Sequence, residues 1–138
     1  MAAPTTFRSF VDDLEATSIT GVNRAFTQGP PEGSPGTSDC PFQYVRYPQG
    51  EEIPVVFGEQ GGWPTLRAEL VVCVEPTGQS TAPANFDDTV DMMDAIITGL
   101  RALSCITKSH LTWSLRQTVD IVAGQAYWAV VANVEGHG

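Results

Sequence analysis

Three aspartates near the middle of the chain have a spacing that could support chemistry. Residues 85–91 read NFDDTVD, so Asp87, Asp88 and Asp91 form the pattern D-D-x-x-D. Carboxylate oxygens are ligands that Mg²⁺ prefers, and an ion held by them can bind the oxygens of a substrate phosphate. The pattern therefore poses two alternatives: a small magnesium-dependent enzyme, or the polar side of a surface helix.

The sequence around these aspartates predicts an amphipathic helix from about residue 85 to residue 104. Asn85 is expected to be its N-cap, and Asp88 completes a variant of the capping box. Asp87 and Asp88 then fall in the first turn, where the helix dipole stabilises negative charge. The side expected to face the core comprises Phe86, Val90, Met92, Met93, Ile96, Ile97, Leu100 and Leu103. The polar side comprises Asp87, Asp91, Asp94, Thr98 and Arg101.

A magnesium enzyme of this kind needs more than one cluster of aspartates. Isoprenoid synthases place two such clusters on helices that face each other across an apolar cavity, and they are large, all-helical proteins. This chain has one cluster, one long predicted helix and several predicted strands. We therefore interpret Asp87, Asp91 and Asp94 as a hydrated or partner-facing surface, and a magnesium-dependent enzyme built on them is the remote alternative.

The other residues that carry chemistry do not form a catalytic set. The two histidines, His110 and His137, have no neighbouring constellation of Cys or Asp, and neither a G-x-S-x-G motif nor a glycine-rich phosphate loop occurs. The three cysteines contain no C-x-x-C and suggest neither a zinc site nor a disulfide framework. We expect no enzymatic activity, no cofactor and no metal.

Length and composition predict a single globular domain over residues 1–138. Sixteen acidic residues against seven basic ones give a net charge of −9, and the basic residues are scattered. Nucleic-acid binding, sequence-specific binding included, is not expected, because it needs clustered Lys and Arg to displace counterions from phosphates. No run approaches the roughly 20 apolar residues that span a bilayer, and no signal peptide is recognised, so we expect no membrane contact and a protein that stays in the cytoplasm.

The flanking segments predict an α+β fold. A short helix is expected over 7–16, with Thr6 as its N-cap. Strands are expected over 42–47, 66–76, 109–119 and 126–134, with a further edge strand possible over 53–57. Two long loops rich in Gly and Pro are expected over 27–41 and 48–64. The strand over 66–76 alternates and is expected to be buried on one side only, whereas 109–119 and 126–134 are expected to form an antiparallel pair.

The predicted fold is thus a mostly antiparallel sheet of four to five strands, with two helices packed on one face and long loops. Four segments define its layout. They are CPFQYVRYPQGE, the strand after the first loop; LRAELVVCVEPTGQS, a strand that runs into a Pro-x-Gly turn; the helix DDTVDMMDAIITGLRAL; and the closing hairpin LTWSLRQTVDIVAGQAYWAVVANVE. In this layout, over nearly its full length, the chain resembles the tail terminator (tail completion) proteins of long-tailed bacteriophages.

The resemblance implies a structural virion protein without catalytic residues. Such proteins form a six-membered ring on the end of the tail tube, stop tube growth and join the tail to the neck of the filled capsid. The implied partners are copies of the same chain in a hexameric ring, the tail tube protein and the neck or connector proteins. Assembly is expected in the host cytoplasm, and the final location is the virion. The nearest alternative is another neck component, such as a head-closure or head–tail connector protein.

A ring of this kind suggests which side chains meet a partner. DNA crosses the lumen, so an acidic surface there is expected not to hold phosphate. Trp63, beside Gly-Gly in the second loop, could cover the core or enter a neighbour's pocket. The acidic candidates for the lumen or a basic partner are Glu51, Glu52, Glu59, Asp87, Asp91 and Asp94.

Overall fold

The structure, a computed structural model, describes residues 6–51, 65–78, 82–107 and 110–137. Its helices are α1 (Phe7–Glu15) and α2 (Ala82–Thr107), with a 3₁₀ turn at Thr37–Asp39. Its strands are β1 (Arg24–Ala25), β2 (Phe42–Glu51), β3 (Thr65–Pro76), β4 (His110–Val122) and β5 (Gln125–His137). The strands form one sheet in the order β1-β2-β3-β5-β4, in which only the β1–β2 pair is parallel.

Both helices pack on the same face of this sheet. Phe10 and Leu14 of α1 and Ile96 and Leu100 of α2 belong to one buried cluster with strand residues such as Leu70. A mostly antiparallel sheet with two helices on one face is the predicted α+β fold, and that prediction is confirmed. The proposed strand over 53–57 lies outside the described residues.

The first helix forms as the sequence predicts. Thr6 and Ser9 make a reciprocal capping box, with the Ser9 amide donating to Thr6 Oγ1 at 3.1 Å. The apolar side chains predicted to share one side of this helix are Phe7, Phe10, Val11 and Leu14. Phe10 and Leu14 are buried and dock the helix, while Phe7 is exposed.

The second helix begins earlier than predicted. It starts at Ala82, so Asn85 lies inside the helix with 1% of its surface exposed and is not the N-cap. Pro83 is the reason, since proline is favoured in the first turn, where its missing N–H has no intrahelical acceptor. Asp87 and Asp88 consequently lie in the second turn, and the helix ends at Thr107 rather than Ser104.

The predicted core side of α2 was also wrong on one flank. Phe86 and Val90 are exposed, whereas the buried line runs through Thr89, Met92, Ile96, Leu100 and Leu103. The contact of Gly99 with the segment after α1 explains this rotation. A Cβ at Gly99 would lie 2.9 Å from the carbonyl oxygen of Ser18, so glycine lets this flank of the helix turn inward.

Strand β2 continues through Pro48, although a strand end was predicted there. Arg46 pairs with Glu69, but the next pair is Gln49 with Arg67, so β2 carries an extra residue in a β-bulge. Proline is tolerated because β1 pairs only with Phe42 and Gln43, which leaves this part of β2 at the sheet edge.

The prediction that β3 is buried on one side was wrong for its second half. Val71 and Cys73 are fully buried on the face opposite the helices, in a second cluster. That cluster consists of Cys40, Phe42, Tyr44, Val71, Cys73, Val122, Tyr127, Ala129 and Val131. Residues 27–41 cover it, since Tyr127 donates a 2.6 Å hydrogen bond to the carbonyl oxygen of Pro35. The predicted surface loop is therefore one wall of a second core.

The closing hairpin is confirmed and is longer than predicted. Strands β4 and β5 pair without interruption over 13 residues each. Ala123 and Gly124 connect them with φ of 49° and 87°, which matches the twist that a two-residue hairpin turn requires.

Candidate interaction surface

The three aspartates proposed as a partner surface lie together on the outer side of α2. Asp87, Asp91 and Asp94 are all exposed. Asp91 borders a groove of about 390 Å³ that Thr20 and Gly21 also line. Within the described residues, no three His, Cys, Asp or Glu side chains are grouped so that they could hold a metal ion.

The candidates from the second loop have a different outcome. Trp63, Glu59 and Glu52 lie outside the described residues. Glu51 was assigned to the loop but is the last residue of β2, and its carboxylate lies 3.5 Å from the guanidinium of Arg67. Glu51 is therefore a strand residue paired with a neighbouring strand, and not part of the predicted loop.

A different surface, which the sequence did not reveal, lies where α2 passes over β4. We call it the apolar flank, and it consists of Phe86, Val90, Val119 and Ile121, all exposed. Phe86 is 53% exposed and Ile121 69%, which is unusual for side chains of this size.

Hydrogen bonding and chain direction place these four side chains on the same face and towards the same end of the sheet. The Gln117 side chain of β4 donates to Thr89 Oγ1 of α2 at 2.8 Å, which fixes the helix against this strand. Val119 and Ile121 follow Gln117 on the same face of β4 because strand side chains alternate. Phe86 lies about 4.5 Å along the helix from Thr89, towards the end of the sheet where β3 leads into α2.

The strand beneath the apolar flank is an open edge. In the described sheet, β4 is terminal and pairs only with β5 over its 13 residues. The other edge is protected by a bulge, by Pro48 and by the two-residue β1. Because β4 has neither a proline nor a bulge and no other described strand pairs with its outer edge, the backbone groups of that edge can pair with another chain.

A network of charged side chains lies on the face of the sheet opposite the helices. Arg46 Nε donates to Glu69 at 2.9 Å, and Arg46 NH1 donates to Asp120 at 2.8 Å. The Tyr44 hydroxyl donates to the same Asp120 carboxylate. Burial and this hydrogen bond raise the pKa of Tyr44 above its usual range. Burial alone would lower the pKa of Arg46, but the hydrogen bonds to Asp120 and Glu69 have the larger combined effect, and the pKa is raised above its usual value.

This network shows that the sheet curls. Arg46 lies on β2 and Asp120 on β4, and β3 and β5 lie between those strands. The pairing register places Arg46 level with Ser114 of β4, six residues before Asp120, so in a flat sheet the two side chains would be roughly 25 Å apart. Their direct contact therefore requires β4 to bend towards β2 on this face.

The arginines do not form a free basic patch. Four of the six, Arg8, Arg24, Arg46 and Arg67, are in ion pairs with carboxylates. Arg46 and Arg67 are paired on the face of the sheet opposite α2, whereas the exposed Arg8 contacts Asp12 only at 3.6 Å.

The described part of the chain has no helix that combines the length and the apolar character needed to cross a bilayer. No protein-family model matches the chain, and a search of the curated proteins finds no match.

Proposed function

We propose that the protein is a structural subunit that assembles with copies of itself and with neighbouring proteins. The observation that carries this proposal is the apolar flank beside the open edge of β4. Apolar side chains in a contiguous exposed patch favour a protein–protein contact, and an edge strand without protection favours one too. The role is structural and involves no catalytic step.

In the specific form of this proposal, the protein is a tail terminator. It forms a ring of six copies on the end of the tail tube, stops polymerisation of the tube protein and joins the tail to the neck. Two further observations support this role. The fold agrees with the layout on which the resemblance rests, and the net charge of −9 suits a lumen that DNA must cross without being held.

Deletion of the gene from the phage genome that carries it tests the terminator role. Lysates of the deletion mutant should contain filled heads without tails and tail tubes longer than normal, because nothing stops tube growth. Loss of a head-closure or connector protein would instead leave tails of normal length that are not attached to heads. Electron microscopy of the lysate separates these outcomes, and intact virions of normal length would contradict both roles.

A further inference from the structure

A groove lies at the sheet edge opposite the apolar flank. It has a volume of about 500 Å³ and lies between α1 and β2. We call it the α1 groove, and the lining residues used below are Phe7, Arg8, Val11, Val45 and Pro48. Phe7 is exposed there, so the groove offers apolar surface to solvent.

The α1 groove and the apolar flank face in opposite directions. Helix α1 packs over β2 and β3, and α2 packs over β3, β5 and β4. The close contact of Gly99 with Ser18 places the segment after α1 on one flank of α2. Phe86 and Val90 lie on the other flank, beyond which the described sheet has no further strand.

We propose that the apolar flank of one copy docks into the α1 groove of the next copy, so that copies of this chain join head to tail. This inference rests on the proposed structural role and identifies the surfaces that would serve it. A contact between two different surfaces repeats from copy to copy, and it closes into a ring when the rotation per copy allows.

Charge favours this arrangement over a twofold one. Asp87 and Asp94 lie within about 60° of Val90 around the helix axis, on the exposed side. Arg8 lies on the rim of the α1 groove and is 79% exposed. Asp12, 3.6 Å away, offsets part of its charge, and Glu15, which also lines the groove, is buried. Head-to-tail docking brings the aspartates of one copy towards Arg8 of the next. Twofold docking of two apolar flanks would set two acidic helix surfaces side by side.

The structure of the two edge strands favours a contact made by side chains over one made by backbone hydrogen bonds. Backbone pairing of β4 with the β2 edge of a neighbour would meet the bulge and Pro48. Packing of Phe86 and Val90 into the groove does not need those backbone groups. We therefore expect side-chain burial, and not a continuous sheet, to hold the copies together.

Cysteine cross-linking tests the head-to-tail contact directly. Val90→Cys and Val11→Cys are combined in a Cys105→Ser background, because Cys40 and Cys73 are buried. A short bismaleimide should then convert the double variant into a ladder on a denaturing gel, and the highest band counts the copies in a closed ring. An equimolar mixture of the two single variants should give dimers only, and each single variant alone should remain uncross-linked.

A second measurement follows association without cross-linker, by sedimentation velocity over a range of concentrations. Phe86→Ser with Val90→Ser should weaken self-association by at least about tenfold, because the buried apolar anchors are lost. Arg8→Glu should also weaken it, and Asp87→Arg with Asp94→Arg should restore it in that background. Tyr47→Ser is the matched control, since Tyr47 is equally large and exposed but lies on neither surface. Circular dichroism verifies that each variant is folded.

Two results would overturn the inference. Dimers formed by Val90→Cys alone would show a twofold contact, and a double variant without a ladder would show that the two surfaces do not meet. The gene deletion separates this inference from the proposed function. Overlong tubes together with no ladder would retain the terminator role and reject the interface, whereas a ladder without a tail defect would do the reverse.

Discussion

Cys40 and Cys73 are buried thiols whose raised pKa values make stability depend on alkaline pH. Both thiols are buried in the second core, and Cys40 lies at the end of the segment that covers it. Burial, with smaller contributions from Asp39 and Glu75, raises the pKa of Cys40 to about 11, against 9.0 for an unperturbed thiol. Between these pH values the unfolded chain releases a proton that the folded chain retains, so the free energy of unfolding falls as pH rises.

We therefore expect Cys40→Ala to flatten the pH dependence of stability between pH 9 and pH 11. The stability associated with the protonated Cys40 thiol is fully present below pH 9. Above that pH it is lost at a rate of at most about 1.4 kcal/mol per pH unit. Urea unfolding at a series of pH values, followed by tryptophan fluorescence, measures the slope for both proteins. Cys73 and Tyr44 are retained in both, so their shares cancel, and equal slopes would contradict the expectation.

At the scale of elements, the position of α2 depends on one glycine. A Cβ at Gly99 would come closest to the backbone carbonyl oxygen of Ser18, which cannot move aside as the end of a flexible side chain can. The same contact orients the apolar flank outwards, so the packing of this helix and the candidate surface have a common origin.

Gly99→Ala should consequently destabilise the protein by roughly 1–3 kcal/mol through overpacking. Helix propensity alone predicts the opposite sign, a gain of about 1 kcal/mol. Thermal or urea denaturation decides between them. Thr98→Ala, at the exposed neighbouring position, is the control and should change stability by no more than about 0.5 kcal/mol. A more stable Gly99→Ala variant would show that the helix can shift without cost.

The sequence predicted those elements whose signals are local. Strands β3 and β4 have period-two patterns, and the pairing of β4 with β5 follows from two adjacent strands and a short turn. The rotation of α2 could not be predicted, because the apolar arc around residue 93 is wider than the core beneath it. Which part of that arc remains exposed depends on the distant contact between Gly99 and Ser18.

The candidate surface was predicted only in part for the same reason. The aspartates of α2 were correctly placed on an exposed side, since charge marks such a side directly. Phe86 and Val90 were assigned to the core because apolar residues carry no signal that separates a core from an interface. The apolar side of α2 is wider than the sheet beneath it can cover, which indicates that part of it is exposed. The sequence does not show which edge of that apolar side is the exposed one.

At the scale of the whole molecule, the charged network limits how far the sheet can flatten. Arg46 and Asp120 are only 14% and 12% exposed, and they join strands that are not neighbours. The network therefore holds the edge strand β4, and with it the apolar flank, in a fixed position relative to β2.

Arg46→Met should lower stability by roughly 3 kcal/mol, because it leaves the carboxylate of Asp120 buried without its cation. Adding Asp120→Asn should recover part of the loss, since the unpaired charge is then removed as well. Arg67→Met is a control on the same face, where a more exposed pair should contribute much less. Urea unfolding of the wild type, Arg46→Met, Asp120→Asn and the double variant measures the coupling, and strictly additive losses would show that Arg46 and Asp120 act independently.

Residues 27–41 look like a spacer by composition, and a designer who needed a site for an affinity tag or a fluorescent fusion would choose them first. Tyr127 is bonded to Pro35, and Cys40 is buried, so an insertion there would admit water to the second core. The hairpin tip at Ala123 and Gly124 is exposed and already has the geometry of a free-standing turn. A label inserted at this turn should leave the buried clusters on both faces of the sheet intact.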